Sequence, residues 1–188
     1  DSVASRGLGD VYKRQTVAFE AAVAGGIPII KSLREGLTAN RIQWIAGIIN
    51  GTTNFILSEM RDKGLDFDVV LKEAQRLGYA EADPTFDIEG VDAAHKATLL
   101  ASLAFGVPVQ FDKAHVEGIT KLQATDIRYA EQLGYRIKLL GITRRREDAG
   151  GIELRVHPTL VPAKRLIANV EGAMNAVVVQ GDAVGTTL

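Results

Sequence analysis

Residues 41–63 read RIQWIAGIINGTTNFILSEMRDK. The first ten are almost continuously apolar, the pattern of a strand covered on both faces. Asn50-Gly51-Thr52 breaks that run and opens a helix, TTNFILSEMRDK. A strand feeding straight into a helix sets the frame, and the neighbouring sequence extends it in both directions. Downstream, Phe67, Val70, Leu71 and Ala74 recur at i, i+3, i+4 and i+7, which predicts a helix over 67–77 ended by Gly78. A loop over 79–90 leads to a second apolar helix, Val91 to Phe105, stopped by Gly106 and Pro108. A shorter helix is expected near 124–133. The end of the chain is strand-rich, with strands at 136–144, 152–157 and 175–181, a short segment near 184–188, and a hairpin tip over 145–151. Upstream, TVAFEAAV (16–23) reads as a strand, Ala24-Gly25-Gly26 as a turn, and Pro28 suits the first turn of a helix to about Leu37. Helices mixed with strands, then a strand-rich end, predict an α+β domain: a mixed β-sheet with helices on one face.

The first fifteen residues, DSVASRGLGDVYKRQ, follow neither period and are read as a non-native leader joined to a 16–188 domain at Thr16. Gly7-Leu8-Gly9 within them is no phosphate loop, because Tyr12 stands where the third glycine belongs and no strand precedes it. The bulk composition narrows the function classes. At 188 residues the chain is long enough for one domain with a sizeable core. A net charge of -1 argues against a broad nucleic-acid or anionic-membrane surface. With no cysteine there is neither a disulfide framework nor a thiolate metal site. No apolar run reaches the length of a membrane span and no secretory h-region is present. The expectation is a soluble cytoplasmic protein.

Two features carry chemistry on their own. The stretch Leu77 to Asp92 holds Glu81, Asp83, Asp87, Glu89 and Asp92 and no basic residue. The helix that follows is apolar almost all round, yet places Asp92 and Lys96 one turn apart. A charge on a buried helix is costly unless paired. An acidic loop entering a buried acid–lysine pair suits a small cationic or zwitterionic ligand. The same pair also fits an ordinary i, i+4 ion pair, or an aspartate at the positive end of a helix. A calcium loop is a poor match, since the spacing fails the D-x-[DN]-x-[DN]-G pattern. His95 reads as a packing residue or as a support standing behind the site residues. His157, alternating with Ile152, Leu154 and Val156, points to the polar face. Arg144 to Arg146 read as an exposed hairpin end.

From Ala74 and Gly78-Tyr79 through Glu81, Asp83-Pro84, Asp87 and Gly90 to Asp92 and Lys96, the chain resembles the substrate-binding signature of the homoserine dehydrogenases, A-x3-G-[Y/F/L]-x-E-x-D-P-x2-D-[I/L]-x-G-x-D-x3-K. FEAAVAGGIPIIKSLREGL (19–37), GIINGTTNFIL (47–57) and NAVVVQGDAVGTTL (175–188) are similar to further blocks of that family. The resemblance runs from Thr16 to Leu188. It implies the catalytic and dimerisation domain of an NAD- or NADP-dependent enzyme of threonine, methionine and isoleucine biosynthesis. That enzyme interconverts L-homoserine and L-aspartate 4-semialdehyde. The Rossmann nucleotide domain and a C-terminal cofactor segment are expected to lie outside this chain, so the chain alone is expected to be inactive.

The resemblance also assigns roles. Lys96 is implied as the acid/base residue, with Asp92 orienting it and touching substrate. Glu81 would receive the substrate ammonium, with Asp87 completing the polar shell. Gly51 and Thr52 would take the substrate carboxylate on backbone N–H groups at a helix start, and Tyr79 would close the pocket. Glu20, Val23, Gly25 and Ile27 are implied as monovalent-cation ligands, usually for sodium, largely through carbonyls. The implied partner is a second copy, paired through the sheet in a homodimer. Two alternatives stand beside this reading. One is an inactive dimerisation module. The other is the substrate domain of another semialdehyde-type dehydrogenase; the acylating kind is disfavoured because it needs a cysteine nucleophile.

Overall fold

The computed structural model describes residues 18–148 and 150–188. The proposed leader therefore lies outside the described residues. The chain forms helix α1 (Ile29–Lys31, continued by a wider turn Ser32–Gly36), β1 (Ile42–Ile48), α2 (Gly51–Lys63), α3 (Phe67–Arg76), α4 (Thr85–Ile88) and α5 (Val91–Phe105). It continues through β2 (His115–Val116), α6 (Ala124–Gln132), β3 (Tyr135–Arg145), β4 (Ile152–Pro162), β5 (Ala176–Gly181) and β6 (Gly185–Thr187). The six strands pair in the order β2-β4-β3-β1-β5-β6. β2 runs parallel to β4 and every other pair is antiparallel. The mixed α+β sheet expected from the sequence is thus observed.

The helices pack on one face of this sheet. Ile45 and Ile49 from the β1 end, Leu139 of β3, Val156 of β4 and Val177 and Val179 of β5 meet Ile56 and Met60 of α2, Val70 of α3, and Ala94, Ala97 and Leu100 of α5. The opposite face carries a smaller cluster, Ile48, Leu140, Val161 and Ala176, under a 3₁₀ turn at Leu166–Asn169. β1 is therefore covered fully on the helix side and only in part on the other, where Trp44 and Ala46 stay half-buried. His157 lies on that outer face in register with Leu140, as alternation required. Among the described residues no helix is long and apolar enough to cross a membrane.

Helix ends follow local chemistry. Gly106 closes α5 in the left-handed region at φ 67, which a residue with a Cβ adopts reluctantly. Two expectations are corrected. Thr16 and Val17 lie outside the described residues, and the rest of the expected strand is not one: Glu20–Ala22 form a 3₁₀ turn. The Glu20 carboxylate accepts from the N–H groups of Ile30 (2.6 Å) and Lys31 (3.0 Å) at the start of α1. Satisfying those helix amides folds the segment back instead of extending it along a neighbour. The expected 79–90 loop contains α4, begun by Asp83, whose Oδ1 accepts from Thr85 N–H at 3.1 Å.

Candidate active site

The site forms where β1 ends and α2 begins. Asn50, 5% exposed, occupies that junction. Its Oδ1 accepts from the backbone N–H and the hydroxyl of Thr53, both at 2.9 Å, which caps α2. Its Nδ2 donates to Asp87 Oδ1 (2.7 Å) and Asp92 Oδ2 (2.9 Å). One amide thus ties the acidic loop and the start of α5 to the end of β1. Asp92 Oδ2 also accepts from Lys96 Nζ at 2.6 Å, and the same amine donates to the carbonyl of Ile49 at 3.1 Å. The Lys96 and Asp92 side chains keep 25% and 20% of their surface, so the pair is open on one side.

The acidic loop is moored at several points. Thr52 donates its hydroxyl to the Tyr79 carbonyl at 2.7 Å, and the Tyr79 ring stacks on Phe55 with centroids 4.4 Å apart. Gln75 of α3 donates to the carbonyls of Glu81 (3.0 Å) and Ala82 (3.3 Å). The side-chain and backbone hydrogen bonds from Thr85 hold the Asp83 carboxyl below its usual range. The Glu81 side chain is exposed and makes no ion pair among the described residues. Because Asn50 caps Thr53 and the Asn54 N–H bonds Asn50 O, the Gly51 and Thr52 N–H groups form the positive end of α2, without a backbone partner among the described residues. The helix-start amides, the Asp87–Asp92 carboxylates and the Lys96 amine thus gather around the junction of β1 and α2.

The model of the homoserine dehydrogenase family matches residues 28–188. The chain belongs to the homoserine dehydrogenase family. It is 73% identical over 172 residues to the homoserine dehydrogenase of Pseudomonas aeruginosa, covering 92% of this chain and 39% of that protein. Against the Helicobacter pylori enzyme it is 50% identical over 181 residues, 96% of this chain and 42% of the other. Its fold superposes on the crystal structure of a Thiobacillus denitrificans homoserine dehydrogenase with a TM-score of 0.90 at 72% identity, covering 98% of this chain and 43% of that one. A hyperthermophilic archaeal homoserine dehydrogenase in complex with NADPH gives a TM-score of 0.76 at 28% identity, over 98% and 53%. The chain spans about two fifths of the length of the two curated relatives.

Among the residues singled out by sequence, Asp92, Lys96 and Asp87 meet through Asn50, and Thr52 meets Tyr79. Glu81 stands on the same acidic loop without touching them. Asn50 was missed as a site residue: it reads as a turn former, and only its place at a strand–helix junction hinted at more. His95 packs as expected, its ring between Phe111 (centroids 4.0 Å apart) and Phe86 (5.6 Å). Glu20, Val23, Gly25 and Ile27 form a separate turn at the entry to α1. No group of three or more His, Cys, Asp or Glu side chains fit to hold a metal occurs among the described residues.

Proposed function

We propose that this chain is the substrate-binding and proton-transfer part of a homoserine dehydrogenase, acting on L-homoserine and L-aspartate 4-semialdehyde. The observation that carries the reading is the Asp92–Lys96 pair. A lysine ammonium has three protons. Two are committed, to Asp92 and to the Ile49 carbonyl, and the third faces the open side of the pair. That proton suits the oxygen of an aldehyde under reduction, and in the reverse direction the amine receives the hydroxyl proton. Asp92 and Ile49 hold Nζ in place, which limits the freedom lost when the substrate arrives. Glu81 takes the substrate ammonium, Asp87 and Asp92, joined through Asn50, complete the polar shell, and the Gly51 and Thr52 N–H groups take its carboxylate. Tyr79, fixed by Thr52 and Phe55, forms the lip.

NAD or NADP supplies or accepts the hydride in this reaction. The sequence holds no G-x-G-x-x-G turn, and no residue here is assigned to that cofactor. For a monovalent cation such as sodium, we propose the turn at Glu20 to Ile27. Among the described residues the carbonyls of Val23 and Gly25 accept no backbone hydrogen bond, whereas the Glu20 carboxylate is committed to α1. The partner we propose is a second copy on the outer sheet face. There Trp44, Ala46, Leu140 and Val178 border an open hollow of about 810 Å³. A cytoplasmic location accords with this metabolic role.

The test is NAD(P) reduction on addition of homoserine by the intact protein that carries this segment, repeated with Lys96→Ala. Turnover by the parent and its loss in the variant are expected. A parent that dimerises without binding or oxidising homoserine would favour the inactive dimerisation module.

A further inference from the structure

Lys138 lies in the middle of β3, opposite Thr159 of β4, and is 1% exposed. Among the described residues no carboxylate lies within ion-pair distance of its amine, though Glu171 and Asp62 stand near enough to favour its charge. Its Nζ donates to Asn54 Oδ1 (3.0 Å) and to the Val170 carbonyl (2.6 Å). Burial, with help from the nearby Arg61, pushes its ionisation down to about 8. Burying an amine in this way is expensive unless hydrogen bonds satisfy its protons.

These bonds also secure the segment 170–175, between the Leu166–Asn169 turn and β5. With Oδ1 held by Lys138, the Asn54 amide is turned so that Nδ2 faces three carbonyls of that segment: Val170 (3.1 Å), Gly172 (2.9 Å) and Met174 (3.2 Å). Glu171 is gripped by Arg61 and by Arg136, each at 2.9 Å. The segment buries little of its own surface, and Met174 is 66% exposed, so these polar ties are its main anchor. The segment crosses the start of α2. A Cβ on Gly51 would lie 2.7 Å from the Ala173 carbonyl oxygen, so the two backbones touch at the residue whose N–H is to receive the substrate carboxylate.

We propose that Lys138 is a positioning residue for the amino-acid substrate: through Asn54 it presses segment 170–175 against Gly51 and so sets the shape of the carboxylate site at the start of α2. The proposal rests on the functional reading above. It separates two populations of polar contact, one around Asn50 that orients the proton donor and one around Asn54 that shapes the anchor for the far end of the substrate.

The experiment uses the intact enzyme with Lys138→Met, which keeps length and removes the donor. Asn54→Asp is the second variant; it still pairs with Lys138 but loses the N–H groups that face the segment. Val161→Ala, in the outer apolar cluster, is the control for general loosening. For both test variants the KM for homoserine should rise about tenfold, the worth of roughly one hydrogen bond. Their kcat should stay within about threefold and their KM for cofactor within about twofold. Amide hydrogen exchange without substrate should speed up over 170–175 and at Gly51 and Thr52 in both. Val161→Ala should lower Tm and leave the homoserine KM in place. Faster exchange with an unchanged homoserine KM would overturn the proposal. So would a KM rise matched by the control at equal loss of Tm. Should Lys138→Met fail to fold, Asn54→Asp decides by the same criteria. A parent without homoserine turnover would overturn the functional reading and this proposal together, whereas a working parent with unmoved variants overturns the proposal alone.

Discussion

Replacing Asn50 by aspartate is nearly isosteric, yet it inverts the chemistry at the centre of the site. The cap on Thr53 survives, because a carboxylate oxygen accepts that N–H as well as the amide oxygen does. The two donations, to Asp87 at 2.7 Å and Asp92 at 2.9 Å, are lost. If ionised, the introduced oxygen would face each carboxylate with a repulsion of about 6 kcal/mol at an effective dielectric of ~20. Taking up a proton at pH 7 costs only about 4 kcal/mol from a carboxyl that titrates near 3.9. The introduced carboxyl therefore protonates and recovers one hydrogen bond of the two, each worth roughly 1.5–3 kcal/mol. The sum is an upper limit of about 6–7 kcal/mol. Water reaches the site, since Asp92 keeps 20% of its side-chain surface, so about half of that, ~3 kcal/mol, is the expected loss of stability at pH 7. The deficit should shrink as pH falls from 8 to 5, because the proton it requires becomes cheaper. Asn50→Ser, which keeps a cap and adds no charge, should lose less and show no such slope. Urea unfolding of the intact protein, followed by circular dichroism across that pH range, measures both. An Asn50→Asp protein within about 1 kcal/mol of the parent at pH 8, with a flat pH dependence, would show that the Asn50 amide does not hold the two carboxylates.

Lys96→Ala should lower kcat for homoserine oxidation by about 10²-fold or more, the usual size of a lost general acid–base; near-normal steady-state turnover would remove Lys96 from the chemistry. Glu81→Gln should raise the KM for homoserine well above that for the cofactor, since a charged hydrogen bond is worth roughly 1.5–3 kcal/mol. A homoserine KM within about twofold of the parent would sink that assignment. Lys138 gives a stability signature of definite sign. Its folded-state ionisation, lowered to about 8 from 10.5, means the unfolded chain binds the extra proton between those values, so stability rises with pH across that window. Arg61 and Arg136 push in the same direction as burial, and Glu171 and Asp62 oppose them. The parent should gain up to about 1.4 kcal/mol per pH unit there relative to Lys138→Met; parallel curves for the two proteins in urea would contradict the buried amine.

Local chemistry was legible in the chain. The limits of α5, Val91 to Phe105, follow from an apolar run and a glycine that ends it, and the Asp92–Lys96 pair follows from i, i+4 spacing on a helix. Helix periods need only neighbours within a few residues, so α2, α3, α5 and α6 and the strand-rich end could all be placed from the sequence. The strand expected at 16–23 could not be tested in the same way, because a strand exists only against a partner. Here the Glu20 carboxylate found helix amides ten and eleven residues on instead. Sheet order was likewise invisible: β5 lies beside β1, and β2 joins the far edge, choices made by which apolar faces could be buried together. The same holds within the site. Asn50 looks like any turn asparagine until folding brings Asp87 and Asp92 to it from 37 and 42 residues away. Lys138 looks like a polar residue on an outer strand face until Asn54, 84 residues earlier, closes over it. The sequence alone determined where the acidic loop and the Asp92–Lys96 pair lie, since that depends on side-chain type and short spacing; the roles proposed for them come from the resemblance to the family. Only the tertiary structure decided which amides hold those groups in place, because a buried polar atom takes its partner from whatever the packed core brings within 3 Å, at any distance along the chain.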